Sequence, residues 1–172
     1  MKLTLALLTL TGALWAQNPL TDTVKTRYGA IKQSLIEAAE VVPEDAYTFR
    51  LTPAQRTFGE WIAHTAGGNY NYCAAIKAEK APEAAQAAAR ATSKADLVKA
   101  IRDSFTYCDV ALEGMTDLKA LAAIDTAGKK TYPAQGMVNL VASANEHYGN
   151  MVGYMRAKGV TPPSTARAAK KK

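Results

Sequence analysis

Residues 134–163 read "AQGMVNLVASANEHYGNMVGYMRAKGVTPP". Met137, Leu140, Val141, Ala144, His147, Met151, Tyr154 and Met155 recur at intervals of three and four, the repeat of one helical face. The spacing predicts a helix over 134–158. Gly159 suits the position after its last turn, and Pro162-Pro163 prevents its continuation. A helix of this length with one apolar stripe must bury that stripe against other helices. It also carries a histidine, His147, on the stripe itself, where only apolar side chains are expected.

Working outward, three further segments show the same periodicity. Leu20, Val24, Tyr28, Ile31, Leu35 and Ala38 mark a first helix over 19–39. "VVPEDAYTFRLTP" (41–53) breaks it with two prolines. A second helix is expected after Thr52, with Pro53 at its first position, carrying Phe58, Trp61, Ile62, His64, Thr65, Tyr72 and Ile76. Its twin Gly67-Gly68 reads either as close helix contact or as room for a ligand beside His64. A third helix begins after Ser93, with Asp96 in a box-like capping arrangement, and carries Leu97, Ile101, Phe105, Cys108, Leu112 and Met115. The connections are "AEKAPEAAQAAARAT" (78–92), which lacks large apolar anchors, and 116–133, with a turn at Gly128-Lys129. No segment alternates apolar and polar residues as a strand does. The fold class is therefore all-α, a four-helix bundle. The connection over 78–92 is long enough to cross the bundle, which permits an up-down-down-up order.

The first residues, "MKLTLALLTLTGALWAQNP", place Lys2 before a short apolar run and small residues at Thr11, Gly12, Ala13 and Ala16. This is the pattern of a secretory signal peptide over 1–16, cut after Ala16 or alternatively Ala13. The run is too short for a membrane span, so the mature chain has no transmembrane segment and is exported, periplasmic or secreted. The bundle then occupies 17–163, and 164–172 is a basic tail expected to be disordered. The formal charge of +6 is concentrated in that tail, "TARAAKKK" (165–172), and no basic stripe is interleaved with aromatics. Nucleic acid is excluded as a partner on that ground. A small molecule, a second copy of the chain and, through weak attraction by the basic tail, an anionic membrane surface are the remaining partners.

The chain has two histidines, His64 and His147, and both fall on inward faces. They read either as two separately hydrogen-bonded core residues or as one site shared by facing helices. "RTFGEWIAHTAGGNYNYC" (56–73) and "NEHYGNMVGYMRAKGVTPP" (145–163) together resemble the DinB-like (DinB/YfiT-like) four-helix-bundle family. The resemblance implies a divalent-metal site between the second and fourth helices. His64 matches the family's second-helix ligand, and His147 matches the second histidine of its His-x-x-x-His pair. The first histidine of that pair would stand at 143, where this chain has Ser143. Two imidazoles and a neutral hydroxyl hold Zn²⁺ or Ni²⁺ poorly. Glu60, four residues before His64, is the candidate replacement, giving a two-histidine, one-carboxylate set suited to Fe²⁺, Mn²⁺ or Zn²⁺; its other reading is a solvated carboxylate. The expectation is a metal bound weakly or not at all.

Cys73 lies near the end of the second helix and Cys108 past the middle of the third. In an antiparallel pair they would be far apart. In the parallel pair that the family's order implies, they stand at similar heights. An oxidising compartment then makes them a disulfide, and two separate thiols are the alternative. The family contains metal-dependent, thiol-using transferases. The leader and Ser143 point instead to an exported binding module with a degenerate metal site, and a transferase or hydrolase-type enzyme is the other reading.

Overall fold

The computed structural model of the chain describes residues 18–126 and 128–170, so the signal peptide expected over 1–16 lies outside the described residues. Four long helices carry the structure: α1 (Pro19–Val41), α2 (Phe58–Ile76), α4 (Lys94–Leu112) and α6 (Pro133–Ala157). Between and after them lie a 3-10 turn (Glu44–Thr48), the short helices α3 (Ala84–Arg90), α5 (Asp117–Leu121) and α7 (Pro163–Ala169), and a hairpin of β1 (Ile124–Thr126) and β2 (Lys129–Thr131).

Side-chain pairings fix the helix directions. The Tyr28 hydroxyl donates to Asp109 at 2.8 Å, while Lys94 donates to the Val42 carbonyl at 2.7 Å, so α1 and α4 run in opposite directions. Asn69 donates to Ser104 at 3.1 Å, and four residues on in each helix the Cα atoms of Cys73 and Cys108 are 5.2 Å apart. Helices α2 and α4 are therefore parallel. Trp61 meets Tyr154 and Ile76 meets Gly136, so α2 and α6 are antiparallel. The four run up, down, down, up. A parallel pair consecutive in the bundle needs a crossover, and 77–93 supplies it. The shared core contains Leu35, Ile62, Leu97, Ile101, Phe105 and Met151, none more than 1 % exposed.

Several local expectations are corrected. Helix α2 starts at Phe58, not Pro53. Its N-cap is Thr57, whose hydroxyl accepts from the Glu60 N–H at 3.1 Å while the Glu60 carboxylate accepts from the Thr57 N–H at 2.6 Å. This reciprocal box satisfies two amide donors, whereas a proline start satisfies none. The 78–92 connection carries α3, seated on the buried methyl groups of Ala85 and Ala88. Gly67 faces α3 at ordinary contact distance: a methyl there would lie 3.4 Å from Ala89. The tighter approach is at Gly136, where a methyl would come within 2.7 Å of Ile76. The 116–133 connection forms a hairpin that the alternation test missed, turned by Asp125 accepting the Gly128 N–H at 2.8 Å. The expected disordered tail is in part a helix: Arg167 of α7 pairs with Glu37 and Ser34 of α1, and the Ser164 N–H donates to the Tyr148 hydroxyl at 3.0 Å. Those partners order a segment that composition alone leaves unanchored. Gly159 ends α6 as expected, with φ of +70°.

Candidate functional site

Helix α2 contributes Trp61, His64 and Thr65, and the antiparallel α6 contributes Ser143 and His147. One helical turn separates Trp61 from Thr65 and Ser143 from His147, so all of them meet at one level of the bundle. The rings of His64 and His147 lie 4.8 Å apart between centroids. Trp61 stands 5.3 Å from His147 and 6.1 Å from His64. The Arg56 guanidinium sits 5.0 Å over the indole ring, a cation–π contact. The Trp61 N–H donates to the Tyr154 hydroxyl at 3.2 Å, and that hydroxyl donates to the Arg56 carbonyl at 2.6 Å. The loop before α2 is thereby tied to the last turns of α6, and the ring cluster is held from both helices.

Hydrogen-bond accounting assigns the protons of His147. The Thr65 hydroxyl donates to the Trp61 carbonyl at 2.7 Å, the back-bond common for threonine inside a helix. Its single proton is spent there. At 3.1 Å from the His147 Nδ1 it acts as acceptor, so Nδ1 carries the hydrogen. The Nε2 lone pair then faces Ser143, whose hydroxyl donates to it at 3.3 Å. Burial, chiefly, holds the His147 imidazole below its ordinary basicity, with His64 and Arg56 adding to the effect and Glu146 opposing it. Burial and then Arg56 lower His64 as well, again against Glu146. His64 stands at the rim, where solvent reaches its ring, yet its neighbours displace enough water to favour the neutral form. Both imidazoles are uncharged at neutral pH.

Two open clefts flank His64. One, of about 960 Å³, runs along His64, Gly68, Asn71 and Tyr72 under the crossover residues 80–90. The other, of about 940 Å³, is bounded by Arg50, Arg56, Trp61, His64 and Arg90. Gly68 has no neighbour beyond its own helix's Tyr72, so the twin glycine lowers one wall of the first cleft.

The sequence model of the DinB superfamily matches residues 28–151. The chain belongs to the DinB superfamily. Its fold is similar to that of a crystal structure of a DinB-like protein from Bacillus cereus ATCC 10987, at 17% identity and a TM-score of 0.67, covering 86% of this chain and 97% of that one. No curated protein matches the chain.

For a DinB-superfamily member the question is whether these residues fit a divalent metal. Glu60 does not complete the set: its carboxylate caps α2 and lies 3.7 Å from Arg50, and that backbone hydrogen bond lowers its pKa before any other cause. Glu146 is exposed. Among the described residues, no three of histidine, cysteine, aspartate and glutamate come together in a metal-holding group. Ser143 offers a neutral hydroxyl already engaged with the very lone pair a metal would take. The donor set does not fit a firmly held divalent ion. Cys73 and Cys108 belong elsewhere, fully buried at bridging distance between α2 and α4. Thr65 and Arg56 are the site residues that sequence reasoning missed. Thr65 stands out only once α2 is known to lie antiparallel to α6.

Proposed function

We propose that this chain is an exported DinB-superfamily binding module. Its inherited histidine pair holds divalent metal weakly, and the clefts beside His64 receive a small molecule. The observation that carries this reading is Ser143. It stands one turn before His147 where a third strong donor is needed, and it spends its proton on the His147 Nε2. The clefts supply volume on the scale of small-molecule sites, with a few polar groups at the histidine rim.

The test is metal content and metal titration of protein purified without an affinity tag or chelator. The wild type is expected to carry far less than one Zn²⁺ or Ni²⁺ per chain. Ser143→His places two imidazoles at i and i+4 on one face, with His64 opposite. Affinity should then rise by more than the roughly 10–100-fold that loss of an outer-shell partner costs in metal sites. Adding His64→Ala should remove most of that gain. Stoichiometric metal in the wild type would overturn the reading in favour of a metal-dependent transferase or hydrolase.

A further inference from the structure

We propose that Ser143 is a nucleophile served by His147 as general base, and that the protein hydrolyses small activated carboxylic esters through an acyl-Ser143 intermediate. The proposal goes beyond the binding-module reading and does not rest on it.

Three contacts form one directional chain: Ser143 O–H to His147 Nε2 at 3.3 Å, His147 Nδ1–H to Thr65 Oγ1 at 3.1 Å, and Thr65 O–H to the Trp61 carbonyl at 2.7 Å. Nucleophile, base and orienting group stand in the relation that hydroxyl nucleophiles require. Each hydroxyl has one proton, and each is already assigned, so the chain runs in one direction only. The base is fixed in the tautomer that accepts from Ser143. Ser143 is half-buried, shielded yet not sealed. The Ser-x-x-x-His spacing on one rigid helix holds the pair together without a loop. Arg56 stacks on Trp61, 5.0 Å from the ring centroid, and lines the cleft beside His64, which places a positive group at the mouth of the site for a developing oxyanion. Thr65 is neutral, and it stabilises an imidazolium less than the carboxylate of a full triad does. Slow turnover with good leaving groups follows.

The step balances. Ser143 Oγ bonds to the ester carbonyl carbon as its proton passes to His147 Nε2. The carbon–oxygen bond to the alcohol then breaks, and the departing alkoxide takes that proton from Nε2. Water attacks the acyl-serine by the same route, giving the acid and restoring Ser143.

The experiment uses the full mature chain in EDTA, so that metal content, the subject of the previous test, plays no part. An alkyl fluorophosphonate is added, and intact mass with peptide mapping reads the product. One adduct per chain on Ser143, with loss of fluoride, is expected, and p-nitrophenyl acetate should be hydrolysed at a rate lost in Ser143→Ala. His147→Ala should slow labelling by about 100-fold or more, the usual worth of a general base, and added imidazole should restore part of it. Thr65→Val should slow labelling by about tenfold, and Thr65→Ser, which keeps the hydroxyl, should not. Each variant's thermal melt is recorded; if His147→Ala does not melt cooperatively, the Thr65 pair decides. No adduct, an adduct on another residue, or equal rates in wild type and Thr65→Val overturns the proposal.

Discussion

Burial of His147, and the partial desolvation of His64 at the rim, favour their neutral forms, and that has a measurable cost in acid. Both have folded-state pKa values below the ordinary 6.5. Just below that pH the unfolded chain binds more protons than the folded one, so stability rises with pH there. The contribution is complete above 6.5 and is lost as pH falls through the lowered folded-state values. These are the chain's only two histidines, the side chains whose ordinary pKa falls between 7 and 5, so a pH series over that range, read against a variant lacking both, reports on them. The melting temperature of the wild type should fall more steeply over that range than that of a His64→Gln, His147→Gln double variant. Parallel slopes would show that the site is wetter than its burial implies. At this scale His147 was legible in the sequence because it sits on the apolar stripe of α6, whereas His64, expected to face inward, is exposed at the rim of α2. The fate of Glu60 was not legible, since the spacing that aligns it with His64 also lets it cap α2 three residues after Thr57, and only the start of the helix separates the two.

Among the elements, the parallel pair α2 and α4 is the unusual contact, and Cys73–Cys108 pins it beside the buried Asn69–Ser104 hydrogen bond. Closing a loop over a sequence separation of 35 restricts the unfolded chain by roughly 3–4 kcal/mol in the chain-entropy account. Replacing both cysteines by alanine should therefore lower the melting temperature by on the order of 10 °C, with the helical content of the folded state kept. A change of a degree or two would mean that the crossover and core packing already fix the pair. The long helices were readable from periodicity alone, since each buries a stripe of large side chains. The short elements were not. Helix α3 is held by alanines, which carry no apolar signal of their own, and the strands of the hairpin are three residues long, too short to alternate. Helix α7 depends on Arg167 reaching Glu37, a partner 130 residues away that no local pattern contains.

At the scale of the molecule, fold and compartment make one joint prediction. The four-helix core is assembled from residues 19–157, and the start of α1 is fixed by Asp117, whose carboxylate accepts the Leu20 and Thr21 N–H groups at 3.1 and 2.8 Å. Cleavage after Ala16 leaves that start intact. No helix of the described residues is long and apolar enough to cross a membrane. If the leader directs the chain out of the cytoplasm, the two cysteines meet an oxidising compartment after α2 and α4 have come together, and the bridge forms with them. Protein recovered from the exported fraction should have the mass of residues 17–172 less two hydrogens. Unfolded without reductant, it should show no free thiol. The same chain made without residues 1–16 in a reducing cytoplasm should fold to the same helical content, carry two titratable thiols, and melt at a lower temperature by the margin of the alanine pair. Intact mass and thiol titration of the two preparations decide it. A mature chain that retains Met1, or two free thiols in exported material, would break the link between leader and bridge, leaving the parallel pair to be held by packing alone.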